Sequence, residues 1–105
     1  MNLAYFPEST VEIRFYYDPE SGEPHILNHG VSEDEVVDIL AQPDEDMLAR
    51  DGAKMALGQT AEGRYLRVIY VPDPDPYSVF VITAYELRGK PLQAFKRRRK
   101  KRRGR

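Results

Sequence analysis

The chain has no cysteine, which excludes disulfides, thiol catalysis and cysteine-ligated zinc or iron–sulfur sites and fits a reducing compartment. No stretch approaches the roughly 20 apolar residues of a membrane span, so no membrane association is expected. The start, Met1-Asn2-Leu3-Ala4-Tyr5-Phe6-Pro7, lacks the charged n-region and apolar run of a signal peptide, and the expected location is cytoplasmic. No glycine-rich loop ending in Lys-Ser or Lys-Thr follows a strand, so the common phosphate-cradling loop is missing. There are no internal repeats. Histidine is scarce: His25 and His29 stand at i and i+4, a ligand spacing, but no third ligand accompanies them, and neither metal nor cofactor is expected.

The last ten residues lack any anion. Lys96, Arg97, Arg98, Arg99, Lys100, Lys101, Arg102, Arg103 and Arg105 carry nine of the sixteen cations, leaving seven against seventeen anions in residues 1–95. A formal net charge of −1 therefore divides into a body of −10 and a tail of +9. Such asymmetry predicts one domain over 1–95 and a basic tail over 96–105. The 41% apolar fraction is enough for a single core, and about 95 residues are too few for two. Clustered cations bind phosphate chains without sequence preference, so the tail reads as a handle for an anionic polymer or an acidic protein, the plain alternative being a solvated terminus. Nine clustered like charges should fray a helix there unless something anionic binds.

Val11 to Tyr17 alternates Val11, Ile13, Phe15 and Tyr17 with other residues, the period of a half-buried strand. Asp18-Pro19-Glu20-Ser21-Gly22 ends it with turn chemistry. Glu23 to His29 has room for about two helical turns before Gly30. The clearest helix opens with Ser32-Glu33-Asp34-Glu35, a capping box in which the Ser hydroxyl accepts from the Glu35 amide and the Glu35 carboxylate accepts from the Ser32 amide. Val36, Val37, Ile39 and Leu40 give it an apolar stripe, and Gln42-Pro43 ends it. Strands are then expected at 46–50, 54–60, 64–71 and 78–85, separated by Asp51-Gly52, Ala61-Glu62-Gly63 and Pro72-Asp73-Pro74-Asp75-Pro76. Short turns between consecutive strands predict an antiparallel meander, and Pro91 to Phe95 can begin a C-terminal helix.

What remains is chemistry without metal, thiol or cofactor. RNA carries its own nucleophile, the 2′-hydroxyl, so a ribonuclease needs only a base, an acid and cations on the scissile phosphate. Arg64 and Arg67, three apart on one strand, should point to opposite faces. Tyr85 ends the next strand, with Arg88 beyond it. Each has a plain structural alternative: an exposed strand arginine is ordinarily solvated, Tyr is a good strand former, and Glu33 and Glu35 are accounted for by capping.

The order of motifs resembles a known group. Asn28-His29-Gly30-Val31-Ser32 leading into Glu35-Val36-Val37-Asp38-Ile39-Leu40, then Gly58-Gln59-Thr60, Glu62-Gly63-Arg64, Leu66 to Tyr70 and Val81-Ile82-Thr83-Ala84, looks like the BrnT-type toxins and related uncharacterised small bacterial domains. The resemblance covers residues 13 to 88. It implies a RelE-like α+β fold, a small antiparallel β-meander with N-terminal helices packed on it. It also implies a metal-independent endoribonuclease toxin of a toxin–antitoxin pair, with RNA and an antitoxin protein as partners. Carried over by position, the family's His-Gly-Val falls on His29 and its Gly-Arg on Arg64, while Tyr85 stands where the toxins have an arginine. Stabilisation of phosphate charge would then fall to Arg64 with Arg67 or Arg88, proton handling to His29 or Tyr85, and RNA binding to Arg67 and the tail. The competing expectation is a non-catalytic module that binds protein through its acidic body and nucleic acid through its tail.

Overall fold

The computed structural model describes residues 12–74 and 78–104. The expectations for Met1 to Pro7, Val11, Asp75, Pro76 and Arg105 lie outside these residues.

The strands expected from alternation and from β-branched and aromatic content form within a few residues of their expected places. They are β1 (Glu12–Phe15), β2 (Glu45–Leu48), β3 (Lys54–Gln59), β4 (Tyr65–Pro72) and β5 (Ser78–Glu86), in one sheet of order β1-β5-β4-β3-β2. From β2 to β5 the sheet is the expected antiparallel meander. The fifth strand changes the class of sheet: β1 pairs in parallel with β5, Ile13 opposite Val79 and Phe15 opposite Val81, so the sheet is mixed. Short turns dictate direction only between strands adjacent in the chain, and β1 is joined to β2 through all of residues 16–44.

The helices also depart from the expected N-terminal placement. A 3-10 helix (His25–His29) and α1 (Glu33–Ala41) follow β1, and α2 (Gly89–Arg103) follows the sheet. The physical reason is that both faces of the sheet carry apolar side chains. On one face Val36 and Ile39 of α1 and Ile26 of the 3-10 helix pack with Ala56, Leu66, Val68, Val81 and Ala84, all at 1% exposure or less. On the other, Phe95 of α2 is fully buried against Leu57 and Leu87.

The capping box of α1 forms as expected, the Ser32 hydroxyl accepting from the Glu35 amide at 3.2 Å and Glu35 accepting from the Ser32 amide at 3.0 Å. Two glycines matter. Gly58 marks where α1 rests on β3, a Cβ there standing in van der Waals contact with Ile39 Cδ1 at 3.4 Å. Gly30, at φ 71°, adopts the left-handed conformation that closes the 3-10 helix, and its amide donates to the Leu27 carbonyl at 3.1 Å. In β5 a bulge leaves Ile82 without a partner between Val81 opposite Tyr70 and Thr83 opposite Ile69. That extra residue keeps Val81 and Ala84 both on the α1 face.

The basic run does not fray. Residues 96–103 continue α2, and the anion that steadies them is the body itself: Arg98 and Arg102 meet Glu45, and Arg99 and Arg103 meet Asp44. The boundary expected between residues 95 and 96 falls inside this helix.

Candidate functional site

β1 covers only the first half of β5, pairing with residues 78–81. The chain then turns, the Tyr16 amide donating to the Val81 carbonyl at 2.8 Å and the His25 amide to the Tyr16 carbonyl at 2.9 Å. This sets the 3-10 helix beside the uncovered half of β5, anchored by the buried Ile26. Its two histidines are thereby brought to Tyr85. The His25 and His29 rings lie 5.2 Å apart edge-on, and the His29 and Tyr85 rings 6.0 Å apart. Tyr16 adds a further ring, 6.0 Å from His25. Arg67, directly opposite Tyr85 on β4, donates from Nη1 to the Tyr85 hydroxyl at 3.2 Å. Its Nε is buried with no hydrogen-bond partner among the described residues, as is Thr83 Oγ1.

Three of the residues singled out from sequence, His29, Arg67 and Tyr85, thus meet in one cluster drawn from three elements. Arg64 and Arg88 do not join it. Arg64 Nη1 donates to both carboxylate oxygens of Glu35, at 2.9 and 2.8 Å, and to the Gly30 carbonyl at 3.0 Å, while its Nη2 lies 3.5 Å from Glu86. Burial acts to raise the Glu35 pKa, but the Ser32 amide and the Arg64 guanidinium outweigh it and hold the carboxyl below its usual range. Arg88, with 81% of its side chain exposed, reaches the same Glu86 at 3.1 Å. Arg64 is therefore a brace on the residue after His29, and the two networks touch at His29-Gly30 and Tyr85-Glu86.

The tail cations separate by helix face. Glu45, 8% exposed, accepts from Arg98 Nε and Nη2 at 2.8 and 2.9 Å and from Arg102 Nη1 at 2.9 Å, and these arginines, Arg98 first, depress its pKa. Arg99 lies over the Tyr65 and Phe95 rings, 5.1 and 5.6 Å from their centroids, donates to the Tyr65 hydroxyl and Gln59 at 3.0 Å each, and is only 15% exposed. Lys96 sits 4.9 Å over the Tyr65 ring. Arg97, Lys100 and Lys101 face outward and meet no carboxylate among the described residues. Leu57, Arg67 and Tyr85 are consecutive cross-strand partners and so share a face, and Leu57 packs under Phe95. The cationic helix and the Arg67–Tyr85 pair therefore lie on the same face of the sheet.

Sequence reasoning passed over His25, treated only as half of a metal spacing, and with it Asp18 and Asn28. The Asn28 amide donates to Asp18 Oδ2 at 3.0 Å and lies 3.4 Å from His25 Nδ1, and Asp18 Oδ2 is 3.8 Å from the same nitrogen. The i, i+4 spacing was the available signal; its meaning depends on the Asp18 turn folding back. Among the described residues no group of three or more His, Asp or Glu is placed to hold a metal ion, and no helix is long and apolar enough to cross a membrane.

The fold and cluster define a small α+β domain whose polar groups gather where a histidine-bearing helix meets the open half of a sheet edge. The chain belongs to the family described as Domain of unknown function (DUF4258), whose model matches residues 25–86. That span opens at His25 and closes at Glu86, taking in His25, His29, Arg67, Tyr85 and the Arg64 brace and leaving β1, Tyr16, the Asp18 turn and α2 outside. No curated protein and no solved structure matches the chain.

Proposed function

We propose that this domain is a metal-independent endoribonuclease, the toxin of a toxin–antitoxin pair acting in the cytoplasm, with its site at His29, Tyr85 and Arg67. The observation that carries the reading is the meeting of an imidazole, a phenol and a half-buried guanidinium from three separate elements. An imidazole handles protons near neutral pH. A guanidinium and a phenolic hydroxyl aimed together are donors for the charge that grows on a phosphate during attack by the 2′-hydroxyl. The cationic helix on the same face supplies attraction for the rest of the RNA strand. The motif order shared with BrnT-type toxins, and the reading of the meander with its packed helices as RelE-like, support the same conclusion. Arg64 acts through Glu35 and Gly30 as a positioning residue for His29.

The test is expression without an antitoxin, and incubation of the purified chain with RNA in excess chelator. Growth arrest and cleavage are expected, with His29→Ala and Arg67→Ala each lowering the rate about 100-fold or more. Intact RNA and normal growth would remove the proposal.

A second reading, a non-catalytic nucleic-acid binder, is favoured by Arg97, Lys100 and Lys101 facing outward without carboxylate partners among the described residues. Replacing all three by Gln should lower the slope of log affinity against log salt by about 2 to 3. Binding that depends on these three and ignores His29, with no cleavage, selects this reading.

A further inference from the structure

Transfer of a proton from the 2′-hydroxyl and delivery of one to the departing 5′-oxygen are separate events, and His29 can serve only one of them in a single step. The second imidazole, His25, lies 5.2 Å from it, 77° between ring planes, with 32% of its side chain exposed. Its surroundings differ from those of His29 in one respect that matters. His25 Nδ1 faces the Asn28 amide at 3.4 Å and Asp18 Oδ2 at 3.8 Å, whereas the His29 ring meets the His25 and Tyr85 rings and makes no side-chain hydrogen bond or ion pair among the described residues. The orientation of the Asn28 amide is fixed by its bond to Asp18, since a carboxylate accepts only a donor.

Asp18 is itself held as the anion. The Glu20 amide donates to it at 2.9 Å, and that bond, with the Asn28 amide, keeps its pKa below the usual carboxylate range. The turn Asp18-Pro19-Glu20-Ser21-Gly22 is closed by the Gly22 amide on the Asp18 carbonyl at 2.8 Å, and the Asp18 amide donates to the Glu23 carbonyl at the same distance. The carboxylate is therefore presented to His25 by a fixed turn. The Tyr16 ring lies 6.0 Å and the His29 ring 5.2 Å from that of His25. Of the two imidazoles, His25 is thus the one whose Nδ1 faces a fixed carboxylate and amide.

We infer that His25 is the general acid of the site and His29 the base, with Asp18 and Asn28 positioning His25. The inference rests on the ribonuclease reading above. His29 takes the proton of the 2′-hydroxyl, the 2′-oxygen bonds to phosphorus, the bond from phosphorus to the 5′-oxygen breaks, and His25 gives its Nε2 proton to that oxygen. The products are a 2′,3′-cyclic phosphate and a free 5′-hydroxyl. Nδ1 faces Asp18 and Asn28, which leaves Nε2 as the nitrogen that meets substrate. Arg67 and the Tyr85 hydroxyl bond the non-bridging oxygens.

The experiment uses the full chain, an RNA substrate for rates, and uridine 3′-monophosphate as a probe of both imidazoles by NMR. Cleavage should follow a bell-shaped pH profile, and His25→Gln should lower kcat about 100-fold or more with KM within about threefold, abolishing the alkaline limb. Asp18→Asn should lower kcat about 10-fold with KM within about threefold, and Asp18→Glu should recover part of the loss, which loss of turn structure alone would not allow. The nucleotide should perturb both ring resonances. If the wild type cleaves and His25→Gln stays within threefold, or the probe leaves His25 unmoved, the acid assignment falls while the ribonuclease reading stands. If the folded wild type leaves RNA intact, both fall.

Discussion

Replacing Phe95 by Ala tests what holds the basic helix to the body. The ring is fully buried among Leu57, Leu87, Met55, Tyr65 and Leu92, and its centroid lies 6.0 Å from that of Tyr65. Removing a buried phenylalanine side chain costs about 3 to 5 kcal/mol. The competing account is electrostatic, with Arg98 and Arg102 on Glu45 and Arg99 and Arg103 on Asp44. Arg98 and Arg102 are 48% and 44% exposed, so these are largely screened pairs of about 0.2 to 1 kcal/mol each. Phe95 should therefore decide docking, and Glu45→Gln should cost about 1 kcal/mol. Amide hydrogen exchange reads the difference. In Phe95→Ala the amides of 96–103 should lose protection while those of Val68 and Val81 keep most of theirs, and salt at about 1 M should detach α2 in that variant but not in the wild type. Exchange in α2 that changes by less than about 1 kcal/mol in Phe95→Ala, or a Glu45→Gln variant as damaging as it, would refute the reasoning.

Two further outcomes follow from the same structure. Glu45 is lowered in pKa by its bond from Arg98, Asp73 by bonds from Arg14 and Ser78, and Asp18 by the Glu20 amide and Asn28. Folded values below unfolded ones mean stability that is fully present above the ordinary carboxylate range near about 4 and is lost as pH falls through the folded values. Urea midpoints should be level from neutral pH to about 5 and drop below about 4, and a midpoint that rises on acidification contradicts the assignment. Ser32→Ala removes one half of the capping box and should cost about 1 kcal/mol, a fall in melting temperature of roughly 5 °C; no change would mean that Arg64 alone holds Glu35 in place.

Local chemistry was legible in the sequence, and pairing at a distance was not. Ser32 and Glu35 announce their own cap because both partners lie within one turn. The β-branched and aromatic content of β4 and β5 is likewise a local signal, since such residues favour a strand wherever its partners come from. The parallel union of β1 with β5 has no such local mark; it joins Ile13 to Val79 across most of the chain. His25 shows the same limit. Its spacing from His29 was visible, but the carboxylate that distinguishes the two arrives through the Asp18 turn, and Tyr85 from the last strand. Arg64 carried a family position and pointed to phosphate binding, yet Glu35, already accounted for by capping, also takes the guanidinium. One carboxylate meeting both demands could not be read from either motif alone.

The charge division gains its meaning from helix periodicity. Eight like charges in a row favour an extended, solvated chain, but winding them at 3.6 residues per turn places positions 98, 99, 102 and 103 on one side and 97, 100 and 101 on the other. The first set meets Asp44 and Glu45, at the start of an edge strand, and some of the body's excess negative charge is used there. The repulsion expected to fray the helix is reduced on one side, and Phe95 supplies the adhesion that ion pairs of this exposure do not. The second set remains as a narrower cationic surface than the whole run implies, held on the face that bears Arg67 and Tyr85. A phosphate chain attracted by the outward residues thus approaches the ring cluster without displacing the inward ones. Glu45→Gln should consequently leave the salt slope of RNA binding unchanged while Arg97, Lys100 and Lys101 set it, and a slope that steepens in Glu45→Gln would show that the inward arginines had turned to the phosphates instead.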